Sequence, residues 1–204
     1  MARALRAFFT AIVIACSSYV LPSFAQAPSD QTAILAGGCF WCVQSDFDEL
    51  KGEGVIATLA GYTGGTIEHP TYQDYHDSGE GIVPHVEAVK ITYDPAKISY
   101  ADLLEYYVHH IDPLDGSGQF CDRGPSYRPV IFTTNKEETA TAEAVLKQAA
   151  EKLGKPVAVQ ILPAKRFWPA EDYHQEYQEK NPLRYKFYRW NCGRDRRVKE
   201  LWGS

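Results

Sequence analysis

A strand, a tight turn and a helix are predicted to meet at one junction near the start of the chain. Residues 32–37 form a short apolar run, the glycine pair at residues 37–38 interrupts it, and apolar side chains then recur at helical spacing over residues 40–50. This order places Cys39 at the N-terminus of the helix, where free backbone amides and the helix dipole lower the pKa of a thiol. The junction predicts either a reactive cysteine or a small buried one, which is common in protein cores.

Strand and helix signals alternate along the rest of the chain. Further strands are predicted at residues 55–60, 85–93, 130–133 and 157–162. Three further helices are predicted. One follows the capping residue Ser99, one runs from the capping residue Asn135 to Gly154, and one covers residues 170–179. This alternation predicts an α/β fold of the two-layer α+β type, with helices packed on a mixed β-sheet.

Two segments show no sustained period and are predicted to be long functional loops. They cover residues 65–84 and 112–126, and long loops in compact domains usually carry function. No internal repeat, low-complexity segment or linker divides the chain, so we expect a single domain.

The composition excludes several classes of protein. The 204 residues are 45% apolar and 23% charged, which is typical of a globular domain and excludes a disordered or collagen-like chain. The net charge is −5, and the basic residues cluster only at 194–199. Because nucleic-acid binding depends on concentrated Lys and Arg, we expect no nucleic-acid partner.

The first 25 residues have the pattern of a secretory signal peptide. Arg3 and Arg6 precede an apolar stretch over residues 7–15, which is too short to span a bilayer, and small residues at 23–25 offer a cleavage site. We therefore expect residues 26–204 to form the mature domain, exported to the periplasm or the medium.

A rival interpretation of the same segment is a lipoprotein signal. Residues 13–16 resemble a lipoprotein box, in which case Cys16 would be lipidated and the protein would stay at a membrane. Either way we expect a location outside the cytoplasm.

Four cysteines remain after the predicted signal peptide, and in an oxidising compartment they need an explanation. Cys39 and Cys42 form a Cys-x-x-Cys pair at a helix start, a spacing that suits disulfide exchange. A zinc site would need a second such pair, which the sequence lacks, so we expect no metal.

Two carboxylates are candidates for proton chemistry. Glu87 shares one face of a predicted strand with Val89 and Ile91. Loss of solvation there would raise the pKa of its carboxyl group and keep it protonated. The alternative is that Glu87 is an exposed charge on an edge strand. Asp122 alone is more typical of a turn residue paired with Arg123.

Aromatic side chains could form a pocket beside Cys39. Phe40 and Trp41 follow it directly and either bind a small apolar group or pack in the core. Tyr72, Tyr75 and Tyr127 add hydroxyl donors in loop-rich stretches, where tyrosine is also frequent without a catalytic role.

Taken together, six segments resemble the A-type peptide-methionine sulfoxide reductases. In chain order they are GGCFW at 37–41, GYTGG at 61–65, PTY at 70–72, HVEAV at 85–89, DRGPSYR at 122–128 and AEDYHQ at 170–175. The likeness runs from about residue 32 to residue 202. It implies an α/β fold and an oxidoreductase that reduces the S epimer of methionine sulfoxide, protein-bound and free, without a bound cofactor.

The resemblance also implies roles for individual residues. Cys39 matches the nucleophile, Glu87 the general acid, and Phe40 with Trp41 the pocket for the methyl group of the substrate. The polar groups that surround the sulfoxide oxygen in the family correspond here to Tyr72, Asp122 and Tyr127. The implied reaction is attack of the Cys39 thiolate on sulfur, a sulfenic acid on Cys39, and a disulfide that an external, thioredoxin-like dithiol reopens.

The second thiol of that disulfide is left open. Many family members have glycine after the Phe-Trp pair and use a cysteine in a flexible C-terminal tail. Here Cys42 is favoured by proximity and Cys192 by its place in the C-terminal segment, while Cys121 is a weaker candidate because it adjoins Asp122.

Two other functions compete with methionine sulfoxide reduction. One is a thioredoxin-like disulfide exchanger that uses Cys39 and Cys42, although Glu87 and Asp122 have no role in that chemistry. The other is a non-catalytic secreted binding domain held together by two disulfides. Production of methionine from methionine sulfoxide and dithiothreitol separates all three.

Overall fold

The computed structural model describes residues 30–203. The predicted signal peptide and the predicted lipidation of Cys16 lie outside these residues. Within them, no helix combines the length and the apolar character that a membrane span requires.

Fourteen strands and helices follow one another along these residues. In chain order they are β1 Gln31–Ala36, α1 Phe40–Asp48, β2 Val55–Thr63, β3 Val86–Tyr93, α2 Tyr100–His109, β4 Gly118–Gln119, β5 Asp122–Arg123, β6 Val130–Thr133, α3 Lys136–Leu153, β7 Gln160–Pro163, β8 Trp168–Pro169, α4 Tyr177–Lys180, α5 Pro182–Cys192 and α6 Arg194–Trp202. Single 3₁₀ turns cover Pro125–Tyr127 and Asp172–His174.

Six of the strands form one mixed sheet, which confirms the predicted fold class. The strand order is β7-β6-β1-β3-β2-β8. β6 and β7 pair in parallel and the other neighbours are antiparallel. β4 and β5 form a separate two-stranded hairpin inside the predicted loop 112–126.

The main core lies between the sheet and helices α1, α2 and α3. Leu35 and Ile91 of the sheet pack there with Phe47 of α1, Leu104 of α2 and Leu146 of α3. Removing these side chains from water supplies most of the driving force for folding. A smaller apolar cluster, which includes Val86 and Phe132, covers part of the sheet separately.

The predicted caps of α2 and α3 are confirmed. Ser99 Oγ accepts the Asp102 backbone N–H at 3.1 Å, and the Asp102 carboxylate accepts the Ser99 N–H at 3.0 Å, which completes a capping box. Asn135 caps α3 through the Glu138 N–H, and Gly154 ends it at φ 63°, a left-handed conformation that favours glycine.

The prediction of one helix over residues 170–179 is wrong. The segment contains a 3₁₀ turn and the short α4, because Glu176 has φ 52° and cannot continue a right-handed helix from its preceding turn. Two longer helices, α5 and α6, follow it and bring the C-terminus back onto α1. β7 also begins three residues later than predicted.

Candidate active site

Cys39 lies between β1 and α1, as the junction predicts, and is the N-cap residue of α1. The turn before it requires glycine. Gly38 has φ 82°, and a Cβ atom there would lie 2.6 Å from the Cβ of Gln119, while a Cβ on Gly37 would lie 2.9 Å from Ile111 Cγ2. The close packing around this turn holds the Cys39 side chain at the edge of a small cavity.

The Cys39 thiol does not have the lowered pKa that a helix N-terminus predicts. Burial raises its pKa, with smaller contributions from Cys42, Glu87 and Asp122. Only 6% of Cys39 is exposed, so loss of hydration outweighs the field of the helix. In the resting protein the Cys39 sulfur therefore holds its proton.

Cys42 lies one helical turn after Cys39, and both thiols are free. The pKa of Cys42 is lowered, chiefly by its interaction with the Cys39 thiol. The Arg194 and Arg189 guanidinium groups lower it further, against burial and the Asp46 carboxylate. The pKa of Cys39 is thus raised and that of Cys42 lowered, so a negative charge is favoured on Cys42 over Cys39.

Glu87 lies on β3, buried to 2% exposure, and faces the same cavity as Cys39. Its Oε2 accepts the Phe40 backbone N–H at 2.9 Å, and its Oε1 accepts the Tyr75 hydroxyl at 2.8 Å. Burial raises the pKa of Glu87 to about 8 even though both hydrogen bonds lower it. At neutral pH the carboxyl group is protonated, as expected from its apolar strand face.

Three tyrosines surround the Glu87 carboxyl group. Tyr72 and Tyr127, both predicted, line the cavity, and burial raises the pKa of Tyr72 to about 12. Tyr75 is the group that contacts Glu87 directly, and its hydroxyl lies 2.9 Å from that of Tyr127. All three pKa values are raised, so the phenols are neutral hydrogen-bond donors.

Asp122 lies in the cavity wall and does not pair with Arg123, which bonds Asp115 instead. One Asp122 oxygen, Oδ2, accepts the hydroxyl of Tyr188 at 2.5 Å. Burial raises the pKa of Asp122, and the Tyr188 hydrogen bond lowers it. Tyr188 comes from α5, which the sequence does not predict to be a helix.

A disulfide joins Cys121 to Cys192, with the Cα atoms 4.9 Å apart. It ties the loop that carries Asp122 to the C-terminal end of α5. Cys192, one of the two candidates to resolve the sulfenic acid, therefore has no free thiol in this structure. Of the two, only Cys42 has a free thiol.

The aromatic wall of the cavity is held by neighbours from the C-terminal third of the chain. Trp41 stacks on Tyr177 at 3.8 Å between ring centroids and 7° between planes, and meets Tyr188 edge-on at 5.8 Å. The Trp41 indole N–H donates to His174 Nδ1 at 3.0 Å. Burial lowers the pKa of His174, which stays neutral with its proton on Nε2.

Glu171 connects this segment to the site. Its carboxylate accepts the Tyr62 hydroxyl at 2.9 Å and the Tyr72 backbone N–H at 2.8 Å. Glu171 and His174 lie in the AEDYHQ segment, one of the six that carry the family resemblance. The sequence alone gives neither residue a role. Tyr177 and Tyr188 lie outside every segment of the resemblance, so no sequence signal identified them.

The cavity has a volume of about 70 Å³, which suits a group the size of a methyl sulfoxide rather than a whole side chain. Its walls consist of Cys39, Phe40, Trp41, Tyr72, Glu87, Asp122, Tyr127 and Tyr188. Every residue predicted for nucleophile, acid or substrate pocket therefore meets in one place. A groove of about 340 Å³ adjoins it and shares Tyr72 and Tyr127.

One cluster among residues 30–203 has the composition of a metal site. The ligand atoms of Cys121, Asp122 and Cys192 lie within 4.8 Å of one another. Both sulfurs are already bonded in the disulfide, so neither offers a thiolate ligand.

Comparisons with known proteins agree on one family. Residues 31–204 match the family model described as peptide methionine sulfoxide reductase. A Rhizobium meliloti relative named peptide methionine sulfoxide reductase MsrA 2 is 46% identical, over 88% of this chain and 87% of its own length.

Solved structures show the same similarity. Methionine sulfoxide reductase A of Corynebacterium diphtheriae has a TM-score of 0.69 and 31% identity, over 76% of this chain and 77% of its own. Mxr1 of Saccharomyces cerevisiae, solved in complex with Trx2, shares the fold at 19% identity and a TM-score of 0.50, over 72% of this chain and 84% of its own.

Proposed function

The chain belongs to the peptide methionine sulfoxide reductase family, and from this premise we propose that Cys39 and Glu87 reduce the S epimer of methionine sulfoxide. As a member it is an oxidoreductase that reduces methionine sulfoxide through thiol chemistry. One observation carries the assignment of roles. A nucleophilic sulfur and a protonated carboxyl group face a single cavity of about 70 Å³ with an aromatic wall.

The substrate sulfoxide binds with its methyl group against Phe40 and Trp41. These rings exclude water and favour an apolar group. The sulfoxide oxygen then points towards Glu87 and the hydroxyls of Tyr72 and Tyr127, which are neutral donors suited to a developing negative charge. The rest of the substrate, a free amino acid or a polypeptide, lies in the adjoining groove.

In the first step the Cys39 sulfur attacks the sulfoxide sulfur. Glu87 gives its proton to the sulfoxide oxygen and takes up the proton that Cys39 releases as it attacks. The hydroxyl group transfers to the Cys39 sulfur and methionine leaves, so the substrate is reduced by two electrons and Cys39 is oxidised to sulfenic acid. Without the Glu87 proton, the oxygen would have to leave the substrate as an anion.

In the second step Cys42 attacks the sulfenic sulfur of Cys39. The new S–S bond replaces the S–O bond, and the hydroxyl leaves as water after taking up a proton. The free thiol of Cys42, one helical turn from Cys39, supports Cys42 in this role. Cys192 would first have to leave its disulfide with Cys121.

An external dithiol of the thioredoxin type then reduces the Cys39–Cys42 disulfide and returns both thiols. The complex of Mxr1 with Trx2 supports this class of partner. Thiol–disulfide exchange supplies the two electrons, and no bound cofactor takes part in the proposed cycle.

We also propose that the enzyme repairs oxidised proteins outside the cytoplasm. The charged, apolar and small-residue order of the first 25 residues supports export. Mass spectrometry of the N-terminus of the protein recovered from its host tests this: a start near Gln26 supports a soluble exported enzyme, a lipidated Cys16 supports a membrane-bound one, and a retained Met1 contradicts export.

The experiment for the activity uses the two epimers of methionine sulfoxide separately, with dithiothreitol as reductant. We expect methionine from the S epimer only, and none from a Cys39→Ser variant. Ser117→Ala, which changes a loop side chain bonded to Asp115 and Arg123 away from the cavity, is the control. Absence of methionine from the S epimer, with free thiols at Cys39 and Cys42 verified, would contradict the proposal.

A further inference from the structure

Arg194 is a buried arginine that none of the steps above uses. It begins α6 directly after Gly193, which has φ 70°, and only 2% of it is exposed. Arginine is rarely buried to this extent unless anions and carbonyl groups surround its guanidinium group. Its partners therefore indicate what the charge is for.

The guanidinium group of Arg194 lies along the face of α1 that carries Cys42. Its Nη1 donates to the Gly37 carbonyl at 3.2 Å, and its Nη2 lies 3.4 Å from Asp46 Oδ2. Gly37 precedes Cys39 in the turn, and Asp46 lies one turn after Cys42 on the same helix face. These two contacts place the charge beside the Cys39–Cys42 pair.

The two guanidinium groups near Cys42 have few buried anions beside them, namely Asp46 and, for Arg194, the half-buried Asp122. Asp46 also accepts a hydrogen bond from Arg189 Nη1 at 2.6 Å, so one buried carboxylate faces two guanidinium groups. The second anion on Arg189 is Asp195, which is 66% exposed and largely screened by water. An anion on Cys42 would add a buried negative charge next to these two guanidinium groups.

Arg194 also has hydrogen-bond donors without partners. Among the residues that the structure describes, its Nε and Nη2 have no hydrogen-bond partner, and neither does Asp46 Oδ2. Buried polar groups without partners are uncommon in folded proteins. Here they indicate that Asp46 does not satisfy Arg194 fully.

The groups that face Cys42 come from four elements. They are Cys39 and Asp46 of α1, Glu87 of β3, Tyr185, Tyr188 and Arg189 of α5, and Arg194 of α6. Arg194 and Arg189 are the two cations among them, and Arg189 is already paired twice. Arg194 is the cation with free donors.

We propose that Arg194 is a positioning residue for the second step, which keeps Cys42 as a thiolate and directs it at the sulfenic acid of Cys39. The inference rests on the proposed role of Cys42. Cys42 must lose its proton before it can attack the sulfenic sulfur. The fixed positive charge of Arg194 favours this loss, and the departing hydroxyl takes up a proton to leave as water.

The Cys121–Cys192 disulfide supports the placement of Arg194. Cys192 lies two residues before it, and the Arg194 guanidinium carbon lies 4.7 Å from the centroid of the Phe120 ring, next to Cys121. The disulfide therefore joins the two segments between which Arg194 is held.

The test separates the two chemical steps by rapid quench of a single turnover. In an Arg194→Met variant we expect methionine to be released at the wild-type rate, while formation of the Cys39–Cys42 disulfide slows about tenfold at neutral pH, the effect of one pKa unit on a thiolate below its pKa. The pH dependence of the rate of disulfide formation should move to higher pH in this variant. Arg194→Lys should recover part of the rate because it keeps the charge.

Arg197→Gln is the matched control, because Arg197 also lies on α6 and pairs with a carboxylate, Asp112, at 2.7 Å. We expect it to leave both steps and the pH profile unchanged. If Arg194→Met forms the disulfide at the wild-type rate with the wild-type pH profile, the proposal is wrong. A change in stability without a change in pH profile would show a structural role only and would also overturn it.

A second measurement does not depend on turnover or on a fully stable Arg194→Met variant. In a Cys39→Ser background, the ultraviolet absorbance of the remaining thiolate reports the ionisation of Cys42. The pKa of Cys42 should be lowest with Arg194 present, intermediate in Arg194→Lys and highest in Arg194→Gln. Coincident titrations would contradict the proposal. If Cys42→Ser alone still recycles normally, the resolving role of Cys42 fails instead, which is a distinguishable result.

Discussion

The carboxyl group of Glu87 accepts the backbone N–H of Phe40 at 2.9 Å and so caps the helix that Cys39 begins. The acid is thereby bonded, across 47 residues of sequence, to the residue that follows the nucleophile. This bond uses a free amide of the helix N-terminus that would otherwise be available to the Cys39 thiolate. Activation of Cys39 therefore depends on proton transfer within the site rather than on the helix terminus.

Glu87→Gln should lower kcat/KM about 10²–10⁴-fold, the usual contribution of a positioned acid. Glutamine keeps the hydrogen bond from Phe40 but has no acidic proton to give. In the wild-type protein kcat/KM should fall as pH rises through about 8, where Glu87 deprotonates, and the variant should lose this alkaline limb. The check is a pH profile of methionine formation, and a variant with wild-type rates would contradict the role of Glu87.

The same carboxyl group predicts how stability depends on pH. Its pKa is about 8 in the folded protein, against an ordinary value of 4.5, so the folded state binds one more proton between these values. The Glu87 contribution to the free energy of unfolding should therefore fall as pH rises from about 4.5 through 8. Denaturant titrations of wild type and Glu87→Gln at several pH values measure it. Parallel pH dependence in the two proteins would contradict the raised pKa.

Tyr75→Phe should move the alkaline limb of kcat/KM to higher pH, by about one unit. The Tyr75 hydroxyl donates to the ionised carboxylate, and loss of such a bond raises the pKa of Glu87 further. Tyr72→Phe is the comparison, because Tyr72 lines the cavity without a hydrogen bond to Glu87, and it should leave the limb in place. A shift to lower pH in Tyr75→Phe would show that the sign is wrong.

Much of the fold could be predicted because its signals are local. The capping box at Ser99 and the cap at Asn135 are complete within four residues of sequence, and both helices begin there. The C-terminal helices could not be predicted in the same way. Leu183 and Trp190 of α5 are exposed while Tyr185 is buried, so apolar residues there do not mark the buried face.

The candidate site shows the same division. Cys39 and Glu87 could be predicted from a glycine turn and from strand alternation, since both depend on near neighbours. The disulfide of Cys121 with Cys192 spans 71 residues, and sequence alone does not specify disulfide connectivity. The raised pKa of Cys39 depends on burial by distant segments and could not be predicted from the helix start.

Cys121→Ser and Cys192→Ser should each lower the free energy of unfolding by about 4 kcal/mol, the chain-entropy value for a loop of this length. Both should still form methionine repeatedly with dithiothreitol, because Cys42 resolves the sulfenic acid. Thermal or denaturant unfolding and multiple-turnover assays measure the two effects. Accumulation of sulfenic acid in Cys192→Ser but not in Cys121→Ser would instead identify Cys192 as the resolving cysteine.

The most direct test of the account is disulfide mapping by mass spectrometry after one turnover. The protein, with Cys39 and Cys42 reduced, is mixed with one equivalent of methionine sulfoxide (S epimer) without reductant. We expect one equivalent of methionine and a new Cys39–Cys42 disulfide, with Cys121–Cys192 unchanged. Methionine accompanied by a disulfide from Cys39 to Cys121 or Cys192, or no methionine at all, would contradict it.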